Sequence, residues 1–392
     1  MRKFIATVML IATFSYAEKI IPKYSNSAFC MPCHKRIVKD WRSSLHAKSH
    51  YSKNELYKKL LETVAKKRHK RLAFIEAKCA QCHNPHMHTK KDPFELALEI
   101  GPKRLKNANA SYLVDGVNCI VCHNIEKIEE SKDPRNRGRK SVVWGPNDTM
   151  IGPFDDAISP YHKTKKASFF KENPNKLCFV CHYNEKNYHG LMITTTGKEY
   201  ESVKGDKKSC VECHMGPLHP AHAVQANLAS DTTANKVRIL RSHLFAGVRN
   251  SDIVSKAIKV DAALNGKYLS LSLENLVPHK VPTAFGGREI EIRVKFFKDE
   301  KVLSKTSYIL GTKYVDSNKE ETYPYLAKKI AKDSRLKPFE KRRLRVEIPA
   351  DTTKIEVVTI YRLTPKSWIK KLNLTQKEFL KDYIVNKKVI KF

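Results

Sequence analysis

Cys30-Met31-Pro32-Cys33-His34 is followed along the chain by Cys79-Ala80-Gln81-Cys82-His83, Cys119-Ile120-Val121-Cys122-His123, Cys178-Phe179-Val180-Cys181-His182 and Cys210-Val211-Glu212-Cys213-His214. These five pentapeptides use all ten cysteines of a 392-residue chain. At the chain's own cysteine and histidine frequencies, about 0.01 such pentapeptides are expected by chance. Cysteines at i and i+3 lie on one side of a helical turn, where both sulfurs can bond the vinyl groups of one haem. The histidine that follows swings beneath the macrocycle and offers a nitrogen to iron. Disulfides, the usual use of an even cysteine count in an exported chain, require no histidine after every second cysteine. Structural zinc takes four ligands from paired knuckles, whereas each unit here is complete for one haem. The reading is five covalently bound haem c groups. Cys30, Cys33, Cys79, Cys82, Cys119, Cys122, Cys178, Cys181, Cys210 and Cys213 attach them, and His34, His83, His123, His182 and His214 are the proximal ligands.

The first cysteines of the motifs stand about 45 residues apart on average, room for a helix or two and a loop but not for an independent domain. The haems must therefore share one core and lie close together. After Cys213 the cysteines stop, and near residue 250 the pattern changes to alternation: Leu269/Leu271/Leu273, Ile290/Ile292/Val294/Phe296, Leu344/Val346/Ile348 and residues 355–363. Period-two apolar patterning marks antiparallel strands with one buried face. The expected fold class is α+β: a mainly helical, loop-rich multihaem domain over residues 18–249, then an antiparallel β-sandwich over 250–364. A Lys-rich helical tail, residues 365–392, should pack back through Trp368, Phe379 and Tyr383. Leu56, Leu60 and Val64 recur at helical spacing, so residues 54–75 are expected as one amphipathic helix. Residues 133–140, rich in arginine, form a basic loop between the third and fourth motifs.

Eleven histidines remain outside the motifs, and those that reach iron decide whether a haem only moves electrons or stays open for substrate. Here Trp41-Arg42-Ser43-Ser44-Leu45-His46-Ala47, after the first motif, resembles the opening of the cytochrome c-554 family. That family is typified by the tetrahaem carrier that accepts electrons from hydroxylamine oxidoreductase. Gly116-Val117-Asn118-Cys119 is similar to its Gly-Val-x-Cys lead-in, and the resemblance covers residues 24–190. The resemblance implies that His46 ligates a neighbouring haem, from a helix expected to run unbroken from His34 past Trp41, and that His162 is also a ligand. This chain departs from the tetrahaem pattern by the fifth motif and the C-terminal extension. Within the extension, Arg241-Ser242-His243-Leu244-Phe245 resembles segments of larger exported multihaem cytochromes, which implies His243 as a ligand. His222, ahead of His219, follows the fifth motif and is a further candidate; His86 could serve a neighbouring haem, and His88 less so. For His279, in the turn Pro278-His279-Lys280, a structural role and a haem contact compete evenly. His69 reads as solvated, His50 and His189 as surface or supporting groups, and Met87 and Met215 as packing against haem edges.

Residues 4–14 are the only apolar run that invites a membrane reading, and eleven residues are too few to span a bilayer. With Arg2 and Lys3 before them and Ser15-Tyr16-Ala17 after, they read as a cleavable signal peptide, residues 1–17, and a periplasmic location. Loss of Arg2 and Lys3 takes the formal charge from +34 to +32, and ten haem propionates would lower it to about +22. Such a surface suits acidic redox partners and anionic membrane surfaces, while export and haem argue against nucleic acid. The expected function is electron transfer between a quinol-oxidising membrane cytochrome and a terminal reductase or oxidase, with no catalytic residues assigned. The alternative is an oxidoreductase acting on a small nitrogen or sulfur compound at one open haem. For the β-sandwich, a docking or structural module is expected.

Overall fold

The structure, a computed structural model, describes residues 26–85, 115–225, 236–247, 249 and 251–392. The expected signal peptide, His86, Met87 and His88 lie outside the described residues. In chain order the helices that carry the argument are α1 (Lys35–Ser43), α2 (Glu55–Lys67), α3 (Leu72–His83), α4 (Cys119–His123), α5 (Asn175–His182), α6 (Thr196–Ser202), α7 (Cys210–His214), α8 (Lys366–Leu372) and α9 (Lys377–Leu380). Four of the five motifs close a helix, α3, α4, α5 and α7. In the first, the His34 N–H donates to the Cys30 carbonyl at 2.8 Å, one helical turn, before α1 begins. Every pair of motif cysteines thus sits on a helical turn, as its spacing requires.

Two helices are shorter than expected. The helix over residues 54–75 is divided into α2, which Asn54 caps by accepting the Tyr57 N–H at 3.0 Å, and α3. The break is His69, whose φ of +51° turns the backbone left-handed; neither glycine nor proline marks it. His69 is exposed at that turn. Likewise α1 stops at Ser43 and Ser44 is extended, so His46 opens a separate 3₁₀ turn, His46–Lys48. That turn is fixed from outside. The Trp41 indole donates to the Val117 carbonyl at 2.8 Å, and the Val117 N–H donates to Ser49 Oγ at 2.8 Å. Gly116, with φ of +73°, makes this approach possible: a Cβ there would stand 2.4 Å from Ser49 Oγ and 3.0 Å from the His46 carbonyl. The Trp41…His46 stretch and the Gly116-Val117 lead-in are two sides of one contact.

The strands used below are β1 (Thr149–Gly152), β2 (Lys163–Lys166), β3 (His219–His222), β4 (Val237–Leu240), β5 (Ile258–Asn265), β6 (Tyr268–Asn275), β7 (Glu289–Lys298), β8 (Lys301–Leu310), β9 (Thr312–Val315), β10 (Lys329–Asp333), β11 (Lys341–Glu347), β12 (Lys354–Arg362) and β13 (Tyr383–Lys391). A three-stranded antiparallel sheet, β11-β6-β5, packs against a four-stranded one, β8-β7-β12-β13. Leu269, Leu271 and Leu273 of β6 face Ile290, Ile292, Val294 and Phe296 of β7 and Ile355 and Val357 of β12 in one core, which is the sandwich that the alternation demands. Each such side chain contributes about 1.5–3 kcal/mol relative to exposure.

The change of pattern near residue 250 does not separate two cores. Leu56 and Leu60 of α2 insert into the sandwich core, and the Glu55 carboxylate accepts the N–H groups of Thr375 and Gln376 at 2.8 and 2.7 Å. The tail is only half helical: after α8 and α9, which bury Trp368 and Phe379, residues 383–391 form β13, the edge strand beside β12. Lys387, Lys388 and Lys391 on β13 protect that edge from pairing with another chain.

Candidate functional site

Four of the five motif histidines are oriented by backbone carbonyls of distant residues. The Nδ1 of His34 lies 2.8 Å from the Ala223 carbonyl, that of His83 3.2 Å from Ser49, that of His123 2.9 Å from Ile151 on β1, and that of His214 2.7 Å from Ala246. A carbonyl only accepts, so each Nδ1 carries the proton and each Nε2 presents its lone pair, the tautomer of an imidazole poised for a metal. His162, which leads into β2 beside β1, and His279 share it, donating to the carbonyls of Lys163 at 3.1 Å and Lys280 at 2.9 Å.

Histidines outside the motifs face those within them. His46 faces His182 with ring centres 6.3 Å apart and planes at 30°; His243 faces His123 at 6.3 Å and 26°; His279 faces His214 at 6.4 Å and 27°. Two imidazoles bound to one metal at about 2.0 Å, each with roughly 1.2 Å from nitrogen to ring centre, have centres about 6.4 Å apart. Burial lowers His46 to about 3, with His182 opposite adding to the shift, and lowers His182 and His243 to about 4, so these rings are neutral with lone pairs available. Burial also lowers His162, the His34 ring nearby adding to the effect.

The attachment points of different motifs touch. The Cys30 thiol meets Cys119, Cys178 meets Cys210, and Cys82 meets Cys181, all ten thiols being free. The fourth motif therefore adjoins the second and the fifth, and the first adjoins the third. Phe245, held at φ +43°, stands between two facing pairs, 4.5 Å from the His46 ring and 5.9 Å from His243. Residues 133–140, expected as a basic loop, turn inward: Arg137 and Arg139 are buried, reaching the Asn184 side chain at 3.0 Å and the Ala77 carbonyl at 3.4 Å. Arg137 Nη2 is buried without a hydrogen-bond partner among the described residues, beside Cys82 and Cys181. A haem propionate is the acceptor chemistry it fits. The cysteines, neutral imidazoles, ring spacing and this guanidinium together fit haem c.

Other candidates fall elsewhere. His222 is exposed on β3 and lines a groove with Cys33 and Arg36 of the first motif; the ring that faces the fifth motif is His279, which sequence reasoning left undecided. His50 is buried, not superficial. Its Nδ1 accepts the Ser52 N–H at 3.2 Å, so its proton is on Nε2, 3.4 Å from Glu76, and it is turned away from metal ligation. His189 is exposed, as expected. Around the second motif, Tyr57 stacks on His83 at 4.3 Å, and Tyr325 and Glu185 lie near Cys79; burial pushes Glu185 up to about 7.

Residues 29–124 match the family model described as cytochrome c554 and c-prime, a span that takes in the first three motifs. No curated protein matches the chain. Among solved structures the chain is similar to a penta-heme cytochrome c552 from Thermochromatium tepidum, with a TM-score of 0.72 and 18% identity, over 95% of this chain and 100% of that one. That likeness is one of fold and extends through the β-sandwich. The five haem-attachment motifs, with the family match across the first three, give this chain the attachment chemistry of a multihaem cytochrome c, and its similarity to the cytochrome c554 family is shown over residues 29–124.

Proposed function

We propose that the protein is an exported, periplasmic pentahaem electron carrier, passing electrons between redox proteins in anaerobic or nitrogen- or sulfur-compound respiration. The observation that carries this reading is the imidazole spacing: His46 with His182 and His123 with His243 both stand at the separation of two axial ligands on one iron. Bound haem c supplies one-electron iron chemistry. Backbone carbonyls hold His34, His83, His123 and His214 in one tautomer, and His46 and His243 would offer a second neutral imidazole to the haems of the fourth and third motifs. A metal saturated in this way has no position for a substrate. The contacts between motif cysteines support close neighbours in the order first–third and second–fourth–fifth. The leader at residues 1–17 supports export, and the charge of +34 supports acidic redox proteins as partners, among them a quinol-oxidising membrane cytochrome and a terminal reductase or oxidase, with anionic membrane surfaces as a further contact.

The purified protein should show five haems by pyridine haemochrome and by mass, and a predominantly low-spin spectrum. Two or more high-spin haems would overturn the carrier reading in favour of catalysis at an open iron. His46→Ala should keep all five haems while converting one, that of the fourth motif, from low to high spin and opening it to carbon monoxide. An unchanged spectrum in that variant removes His46 from the ligand set.

A further inference from the structure

The fifth motif differs from the third and fourth in where its facing imidazole originates. His214 lies on α7, while His279 lies 65 residues further on, in the turn between β6 and β7 of the sandwich. Their ring centres are 6.4 Å apart with planes at 27°, the same arrangement as the pairs at 6.3 Å. Both rings donate a hydrogen bond from Nδ1–H to a backbone carbonyl, those of Ala246 and Lys280, and so leave both Nε2 lone pairs bare. We infer that the β-sandwich supplies, through His279, the sixth ligand of the fifth haem, and is thereby a working part of that redox centre. The inference rests on the pentahaem reading and adds to it a function for the β-sandwich.

The turn that carries His279 is fixed from both sides. On the sandwich side the Asn275 amide donates to the carbonyls of His279 at 2.8 Å and Lys337 at 2.7 Å, and Val281 exchanges backbone hydrogen bonds with Leu336 at 3.0 and 3.1 Å. On the haem side the buried Glu199 of α6 accepts the Lys280 N–H at 3.0 Å and the Thr283 hydroxyl at 2.8 Å. Arg335, 3.9 Å from Glu199 and 2.7 Å from Asp333, and Lys280, 2.9 Å from Asp333, complete an ionic lattice around the turn. Glu199 is therefore a positioning residue: it ties the residue after the ligand to a helix of the haem-binding part. A displacement of the sandwich would draw the imidazole away from His214, because Asn275 and the Val281–Leu336 pair bind its turn to the sandwich.

The test uses the full-length holoprotein. His279→Gln preserves volume and a donor to the Lys280 carbonyl but removes the imidazole. The expected result is five haems by pyridine haemochrome and a rise of one high-spin haem per chain in electron paramagnetic resonance, with one new carbon monoxide site. If that variant does not accumulate folded, His279→Gly produced with imidazole in the medium is the second route. Imidazole should restore the low-spin haem, and its removal by dialysis should lose it. Glu199→Ala should raise the high-spin fraction of the same haem, while Glu199→Gln, which keeps an oxygen acceptor, stays low-spin. An unchanged low-spin count in His279→Gln, or no response of His279→Gly to imidazole, overturns the assignment. Fewer than five haems in the unaltered protein would instead sink the pentahaem reading beneath it.

Discussion

The two parts of the molecule solve the problem of an interior in opposite ways. In the sandwich, Leu269, Leu271, Leu273, Ile290, Ile292, Val294 and Phe296 form one continuous apolar core with almost no accessible surface. In the haem-binding part, the buried apolar groups among the described residues are small separate clusters, such as Val38 with Trp41 and Ala47, or Leu61 with Val64, Ala65 and Ile75. Between them lie buried polar groups: His50, Glu76, Asn124, Arg137, Arg139 and Asn184. A chain that orders short helices around so little apolar area does not recover its conformational entropy from its own side chains. The difference indicates that the haem-binding part takes its filling from covalently bound cofactors, while the sandwich folds on hydrophobic burial.

The largest expected effect follows from withholding haem. Chain exported by cells unable to attach haem should lose protection from hydrogen exchange through α1, α3, α4, α5 and α7, while β5, β6, β7, β11 and β12 remain protected. Limited proteolysis should then remove the N-terminal part and leave the sandwich. Equal protection of both parts in the haem-free chain would erase the contrast and mean that the small clusters suffice.

Next in size is a cavity in the sandwich. Leu271, 1% exposed at the centre of β6, lies in the core that both sheets share. Leu271→Ala should cost about 2–5 kcal/mol in denaturant unfolding followed by the exchange of β6 and β7 amides. The low-spin haems of the third and fourth motifs should be unaffected. If those haems were perturbed as strongly as the sandwich, the two parts would form one cooperative unit, joined through Leu56 and Leu60 of α2.

What could be read from the residues follows the same division. The motifs were legible because covalent haem attachment is local: two sulfurs and a nitrogen within five residues. The strands were legible because burial of one sheet face imposes period two, as in Leu269/Leu271/Leu273. The breaks were not. His69 turns left-handed without a glycine, and α1 ends at Ser43 because the Val117 carbonyl, over seventy residues away, accepts a hydrogen bond from the Trp41 indole N–H while the Val117 N–H docks on Ser49. Residues 383–391 alternate only weakly and are rich in lysine, the composition of an edge strand, which is easily read as a solvated helix. His279 was undecided for the most physical of reasons. Its distance from His214 depends on how the sandwich docks, and that depends on Glu199 meeting Lys280 and Thr283. Arginines 137 and 139 read as part of a basic loop because nothing in a run of basic residues says that the Asn184 side chain and the Ala77 carbonyl draw them inward.

The smallest expected effect is on acid stability, and it sharpens the contrast because the buried ionic network around Arg362 lies outside the sandwich's apolar core. Arg362 reaches Glu289 at 3.0 Å, and it also meets Glu291 and Asp382, while Glu291 accepts from Arg293 at 2.8 Å and from Ser307 at 2.6 Å. Burial alone would raise Glu291, but Arg293, Ser307 and Arg362 outweigh it and bring the carboxyl down to about 2 from 4.5. Since the folded value lies below the unfolded one, Glu291 contributes its full stability above pH 4.5 and loses it as the pH falls towards 2. Asp382, also lowered against its own burial by Arg362, acts in the same direction, whereas burial raises Glu289 and makes it a modest opposing group. Exchange protection of β7 and β12 should therefore decline progressively below pH 4.5. In Glu291→Gln that decline should flatten, from a lower plateau at neutral pH, because an uncharged amide leaves Arg362 less compensated. A decline of the same steepness in the variant would transfer the acid sensitivity to other carboxylates and leave this network a packing feature only.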